Sequence, residues 1–348
     1  MLKQFGKSSS ALLMLKHSFF EENALHVEKQ RDISNVYTAQ PLRTHCKNCS
    51  QELNVKPDFV KDSIPYKICQ TCTHLNGAHE DTREFCEKVY QQDDTSYAQN
   101  YSAGTTEDYE YRIASIYFPK AEFLFTCLKR ENVNPHKLSY FDYGAGSGYF
   151  VAALVKLGLT NVTGCDVSAA QVNKANTMIK PARLTCHSID DGYKELEKTE
   201  AEVVSMIGVL EHLQTPREAL TKINANPNIK YVFLSLPMFS LSVYLEMLDD
   251  NIFHRQLHGG HTHLYTEKSI NYLCTEFELE IIGRWWFGTD MVDLYRQIYV
   301  KLEQKHVSET IKKDFKDRLA KFLDQSQLEL DKVGESSEVH ILLRKKNA

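Results

Sequence analysis

The sequence predicts an α/β fold: a parallel sheet with helices on both faces, preceded by a small cysteine-bearing module. Three observations carry this expectation. A glycine-rich turn, Asp142-Tyr143-Gly144-Ala145-Gly146-Ser147-Gly148, follows a β-type run and opens a helix-type run. Short β-type and helix-type runs then alternate as far as Pro237, which is the pattern of a parallel sheet. Two Cys-x2-Cys pairs lie ahead of that alternation.

The glycine turn reads as a ligand corner. Glycines at 144, 146 and 148 let the backbone turn sharply and leave bare main chain against a ligand. The next helix, Tyr149 to Leu157 with Gly158 as its cap, points its free N–H groups at the same space. Asp166, 22 residues past Gly144, closes the second β-type run at the place where dinucleotide-type folds hold a ribose. The order here is G-x-G-x-G with a polar Ser147, not the G-x-G-x-x-G of a pyrophosphate site. An amino-acid-like group fits as well as a phosphate, and a plain strand-to-helix turn without a ligand is the bland alternative.

The remaining elements follow in order. Asn161–Asp166 is a strand, and Ser168-Ala169-Ala170-Gln171 is a capping signature that starts a helix. Ala182–Cys186 is a strand with Ile189-Asp190-Asp191 past its carboxyl end. Glu202–Ile207 runs into Gly208-Val209-Leu210-Glu211-His212-Leu213, and Thr215-Pro216 starts a helix with proline at its first position. Lys230–Pro237 is a fifth strand, Phe277–Trp285 a sixth and Glu338–Leu343 a seventh. Thr310 to Leu328 is a charged helix with Phe315, Leu319 and Phe322 on one stripe. It packs on the sheet, covers a cleft or forms a dimer contact. Between the cysteine pairs and the first strand lies a tyrosine-rich connector. Its Tyr101–Thr105 loop is flexible by composition, and a helix runs from Thr106 to about Arg130.

Cys46, Cys49, Cys69 and Cys72 form C-x2-C-x19-C-x2-C, the spacing of two zinc knuckles. Four thiolates close a tetrahedron around Zn²⁺ and leave no open position, so the site is expected to be structural. Disulfide and redox readings fit less well, because nothing else looks secreted and both pairs precede the α/β pattern. The other five cysteines read as buried thiols. At 348 residues the chain holds one α/β domain plus a smaller module. The apolar run Ala11–Leu15 is too short for a signal peptide, and no span reaches transmembrane length, so a cytoplasmic protein is expected. The net charge of −5 argues against a nucleic-acid partner.

His254, His258, His261 and His263 crowd one short stretch before Thr266, which caps a helix. They read as a substrate-orienting or proton-accepting group near the ligand face, as metal ligands without a suitably spaced carboxylate, or as ordinary loop residues. His212 is a weaker second candidate, more simply a residue that holds its loop by hydrogen bonds.

The D-x-G-x-G-x-G form of Asp142–Gly148 resembles the first motif of class I S-adenosylmethionine-dependent methyltransferases, and Val209-Leu210-Glu211-His212-Leu213 is a run common in that class. The resemblance implies a Rossmann-like, seven-stranded sheet whose last strand is antiparallel. It implies that Gly144, Ala145, Gly146 and Gly148 line the cofactor with Asp142 beneath it. Asp166 and Val167 would then meet the ribose, Ile189 and Asp190 the adenine, and Ile207 and Gly208 would approach from the next strand. With the cysteine pairs and Tyr101-Ser102, the chain from about Thr44 to Val300 resembles zinc-containing sugar methyltransferases, including C-methyltransferases of nucleotide-linked deoxysugars. That implies S-adenosylmethionine and structural zinc as cofactors, a sugar or nucleotide-sugar substrate, and Tyr101 against the cofactor. It also implies His263 as the base, with His261 beside it. The family's acidic residue and tyrosine ahead of that histidine are Thr262 and Gly260 here, which leaves O- or N-methylation open. The expected division is a zinc module over 1–90, a helical connector over 91–135 and the transfer domain over 136–348, with a homodimer as a further possibility. An RNA or protein methyltransferase docked by the zinc module, or a non-catalytic scaffold, are the alternatives.

Overall fold

The computed structural model describes residues 1–15, 22–91, 105–257 and 260–346. Tyr101 and Ser102 lie outside the described residues. The strands, in chain order, are β1 (Leu2–Phe5), β2 (Phe59–Lys61), β3 (Ile64–Ile68), β4 (Leu75–Gly77), β5 (Tyr140–Tyr143) and β6 (Val162–Asp166). They continue as β7 (Leu184–Cys186), β8 (Val203–Ile207), β9 (Tyr231–Pro237), β10 (His263–Leu264), β11 (Leu279–Phe287) and β12 (Glu338–Lys345).

Eight of them form one mixed sheet in the order β1-β11-β12-β9-β8-β5-β6-β7. The strands from β9 to β7 in that order pair in parallel, and β12 runs antiparallel between β9 and β11. Both faces are covered, so the inner strands carry apolar side chains at most positions, with Asp142, Ser205 and Ser235 as buried polar exceptions. Along β9, Tyr231 and Phe233 join the core on one face, and Val232, Leu234 and Leu236 join the core on the other. This two-faced burial is why β9 reads as an apolar run interrupted only by Ser235 and not as an alternating one.

Among the described residues the sheet has eight strands, not the expected seven. β1 pairs in parallel with β11, its Phe5 ring stacking on Trp286 at 5.2 Å. Trp285 Nε1 donates to the Gly6 carbonyl at 2.9 Å. The first residues of the chain therefore extend the large sheet.

The helix expected over Thr106 to Arg130 is present as Thr106–Arg112, a π-helical stretch Ile113–Tyr117, and Phe118–Arg130. A capping box starts it: Asp108 N donates to Thr105 Oγ1 at 3.2 Å, and Thr105 N donates to Asp108 Oδ2 at 2.9 Å. A second, four-stranded antiparallel sheet has the order β10-β4-β3-β2. It shares a core with helices Asn23–Thr38 and Leu241–Leu248 through Tyr37, Ile64, Leu75, Phe85, Val243 and Leu264. Among the described residues no helix is long and apolar enough to cross a membrane.

Candidate active site

β5 pairs with β6 on one side and β8 on the other, so the strand order reverses at β5. In open α/β sheets a crevice forms at such a reversal, outside the carboxyl ends of the strands. Two adjoining cavities of about 300 and 140 Å³ lie there. Gly144, Gln171, Gly208 and His212 line both.

The glycine turn forms the floor. Gly144, Gly146 and Gly148 have φ of +72°, +53° and +72°, in the left-handed region that side chains rarely adopt. A Cβ on Gly144 would lie 2.6 Å from a Val209 methyl. Gly148 precedes the helix Tyr149–Lys156 and packs so closely that a Cβ would lie 2.9 Å from Ala175 Cβ. The turn is pinned from above, because the Tyr109 hydroxyl donates to the Ser147 carbonyl at 2.9 Å. Asp166 pins it from the side: Gly146 N donates to one carboxylate oxygen at 2.8 Å, and Ser168 N donates to the other at 2.9 Å. Burial raises the Asp166 pKa, and these two N–H donors oppose the rise. Asp142 is buried beneath and accepts from Ser205 Oγ at 2.5 Å. Burial pushes its pKa up to about 7, against the lowering effect of Ser205.

The structure therefore brings most of the expected residues together. Asp142, Gly144, Ala145, Gly146, Ile207 and Gly208 line the larger cavity. Gly144, Asp166, Val167, Ile189 and Gly208 line the smaller one. Gly148 lines neither and acts through the turn. The Asp190 side chain lies outside the described residues.

The two histidines of the sequence reading separate. His261 lines the larger cavity. His263, the expected base, lines neither cavity. It sits on β10, paired with Asn76 of β4, and is 1% exposed. Its Nδ1 lies 2.8 Å from His74 Nε2, one residue past the second cysteine knuckle's turn at Thr73. His261 lies outside β10, so strand geometry does not hold it on the same face as His263, and the long-range pairing with β4 takes His263 into the protein.

A group the sequence underrated takes the place of His263. Glu211 and His212, in the short turn Leu210–His212, lie beside His261. The His212 and His261 rings are 5.0 Å apart. His212 Nδ1 donates to the Gly260 carbonyl at 2.9 Å, and the Tyr90 hydroxyl donates to the same carbonyl at 3.0 Å. His261 Nδ1 donates to the Gln256 carbonyl at 3.1 Å. Burial lowers the pKa of His261 to about 4 and that of His212 well below the usual range, so both rings are neutral near pH 7. Burial raises the Glu211 pKa to about 8. The run Val209-Leu210-Glu211-His212-Leu213 was the only sequence signal for this turn. Nothing in the sequence linked it to His261.

The larger cavity also has a charged lining of Lys7, Lys120, Arg255 and Glu338, and there Arg255 pairs with Glu338 at 3.4 Å. Burial brings the Lys120 pKa down to about 7 and also lowers that of Lys7.

The four cysteines meet as expected. Cys46 and Cys72 sulfurs lie 3.7 Å apart, and those of Cys49 and Cys69 lie 3.5 Å apart. A zinc–sulfur bond of about 2.3 Å sets tetrahedral sulfur–sulfur edges of roughly 3.8 Å, so the donor set and its spacing fit Zn²⁺. Each pair sits in the same turn. Ser50 N donates to the Cys46 carbonyl and Thr73 N to the Cys69 carbonyl, both at 2.8 Å. Ser50 and Thr73 both take positive φ, 57° and 61°.

Residues 109–283, just over half of the chain, match the family described as a methyltransferase domain. The chain belongs to this family and is an S-adenosylmethionine-dependent methyltransferase. A comparison with curated proteins finds no match. Among solved structures the chain is similar to the plantazolicin methyltransferase BpumL in complex with SAH, at 13% identity and TM-score 0.44, over 72% of this chain and 91% of that one. It is similar to a protein assigned as a sarcosine dimethylglycine methyltransferase from Galdieria sulphuraria, at 14% identity and TM-score 0.41, over 68% of this chain and 88% of that one. A third is magnesium protoporphyrin IX methyltransferase from Synechocystis PCC 6803 with bound SAH, at 15% identity and TM-score 0.37, over 51% of this chain and 79% of that one.

Proposed function

We propose that the paired cavities hold S-adenosylmethionine and a small polar acceptor, best matched by a nucleotide-linked sugar, and that the enzyme methylates that acceptor. The observation that carries this reading is the meeting of two cavities at Gly144 and Gly208, with His261, His212 and Glu211 on the wall of the larger. When bound, the cofactor supplies an electrophilic methyl group on a sulfonium. The residues around it align and desolvate. Asp166 would accept from the ribose hydroxyls, and Val167 and Ile189 would pack on the base. The glycine turn, with the buried Asp142 beneath it, would take the amino-acid end. In this reading the resemblance would add Tyr101 and Asp190 to the residues that meet the cofactor.

The acceptor's proton must leave, and His261 is better placed than His263 to assist. It faces the cavity, and its Nδ1–H is held by the Gln256 carbonyl, so the Nε2 lone pair is the basic site. His263 is a positioning residue. Through His74 and the β4–β10 pairing it ties the His261 segment to the cysteine module. In this reading the four thiolates hold a structural Zn²⁺ that stiffens the tie. Lys7, Lys120 and Arg255, with Glu338 offsetting part of their charge, would supply donors to the diphosphate of a nucleotide sugar, whose own charge favours the protonated lysines.

The test is methyl transfer from radiolabelled S-adenosylmethionine to a panel of nucleotide sugars, with the Lys120→Met variant beside the parent. Label on a nucleotide sugar, with a raised KM in the variant, supports the proposal. Transfer only to uncharged acceptors, unaffected by Lys120, refutes the nucleotide-sugar reading.

A further inference from the structure

We propose that Glu211, His212 and His261 form a second metal site, a two-histidine, one-carboxylate centre that seats a divalent first-row cation in the larger cavity. One nitrogen of each imidazole and one Glu211 oxygen lie within 4.8 Å of one another. His212 Nε2 is 4.0 Å from Glu211 Oε1. Ligand bonds of about 2.0–2.2 Å place neighbouring donors roughly 3–3.5 Å apart. The three side chains must therefore draw in by roughly 1 Å, which small side-chain rotations supply.

Three further features point to a cation. The first is the orientation of the rings. Each histidine gives its Nδ1–H to a backbone carbonyl, His212 to Gly260 and His261 to Gln256. That arrangement fixes the tautomer with the lone pair on Nε2 and is the usual outer support of a metal-bound imidazole. The second is Glu211. The residue is 3% exposed and lines the cavity, yet among the described residues its Oε2 has no hydrogen-bond partner. A buried carboxyl oxygen left without a partner costs about 1–3 kcal/mol, and a cation that takes the place of the carboxyl proton would remove that cost. The third is access. All three residues line the cavity, so a bound cation keeps positions open toward the acceptor, as catalytic sites do and the closed four-cysteine cluster does not. The donor sets also differ in kind. Imidazole and carboxylate suit Mn²⁺, Co²⁺ or Zn²⁺, whereas four thiolates select zinc.

The role of this site rests on the methyl-transfer reading, but its occupancy does not. A cation there would take the acceptor hydroxyl as a ligand and lower its pKa. The hydroxyl proton would leave to solvent through the open cavity. The oxygen lone pair would then form the new C–O bond as the methyl–sulfur bond breaks, and the bonding pair would stay on sulfur as a neutral thioether. His212 and His261 would act as ligands in that step, and the metal would supply the help with deprotonation otherwise left to a histidine base.

The test uses the full-length protein carrying about one equivalent of zinc, titrated with Co²⁺. Visible absorption follows the cobalt, and S-adenosylhomocysteine affinity is measured on the same samples. The wild type is expected to bind one Co²⁺ with weak d–d bands and no thiolate charge-transfer band. Glu211→Gln, close to isosteric, and His261→Ala are expected to bind it at least tenfold more weakly. Both variants should keep the far-ultraviolet circular dichroism and the S-adenosylhomocysteine affinity of the wild type. No Co²⁺ uptake by the wild type, or equal uptake by wild type and both variants, overturns the metal site. If S-adenosylhomocysteine fails to bind the wild type while Co²⁺ binds, the transfer reading falls and the metal site stands.

Discussion

Replacing Gly144 with alanine should damage the protein twice over, and the two effects can be separated. Gly144 sits at φ +72°, and an added Cβ would lie 2.6 and 2.9 Å from the two methyls of Val209. The left-handed backbone costs an L-residue about 1–2 kcal/mol. Val209 is β-branched and has little rotamer freedom, so it cannot swing aside, and overpacking of this kind costs about 1–3 kcal/mol. Gly144→Ala alone should therefore lower the unfolding free energy by about 2–5 kcal/mol. In the double variant Gly144→Ala/Val209→Ala, alanine at 209 removes the clashing methyls and leaves the backbone cost. Relative to Val209→Ala alone, the glycine change should then cost only about 1–2 kcal/mol. Urea unfolding followed by tryptophan fluorescence measures all four members of the cycle. A loss below about 0.5 kcal/mol in the single variant, or an equal loss in both backgrounds, would refute the contact and the strain assigned to this turn.

Four further outcomes follow from the same geometry. Asp166→Ala removes a carboxylate that would otherwise bind ribose hydroxyls. At about 1.5–3 kcal/mol for a charged hydrogen bond, S-adenosylhomocysteine should bind roughly 10- to 150-fold more weakly by calorimetry. His263→Ala leaves the buried His74 Nε2 without its partner, so it should cost about 1–3 kcal/mol in urea unfolding and change cofactor affinity less than twofold; a large affinity loss at unchanged stability would contradict the placement of His263. Cys69→Ser should abolish stoichiometric zinc, measured by elemental analysis, and lower the melting temperature. Glu246 is fully buried, and burial raises its pKa to about 8, with Asp293 adding to the rise. A carboxyl whose pKa is raised on folding stabilises fully below its unfolded pKa and loses that contribution as pH rises through the folded value. Stability of the parent should fall relative to Glu246→Gln by about 1.4 kcal/mol per unit between pH 5 and pH 8, and parallel pH curves would refute this.

Local chemistry was legible in the sequence. The glycine turn, the Ser168 and Thr266 caps and the cysteine knuckles each depend on a few neighbouring residues, and each formed where expected. The two-faced burial of β8 and β9 was equally visible as apolar runs. What was not legible depends on distant pairing. The four residues of β1 carry no periodic signal, and only the free edge of β11 makes them a strand. His261 and His263 look equivalent in a loop reading. The pairing of β10 with β4, and the bond from His263 to His74, decide which of them faces the cavity. Glu211 was legible only as part of the Val209–Leu213 run, because its carboxyl group and His261 meet only in the folded chain.

The central claim is that this glycine corner binds S-adenosylmethionine in the paired cavities. It is tested most directly by calorimetric titration of the purified protein with S-adenosylmethionine, its demethylated product and NAD. Binding of the first two at one site per chain, lost in Asp166→Ala, with no heat from NAD, is the predicted result. Absence of binding by both sulfur compounds to a folded, zinc-loaded protein would contradict it.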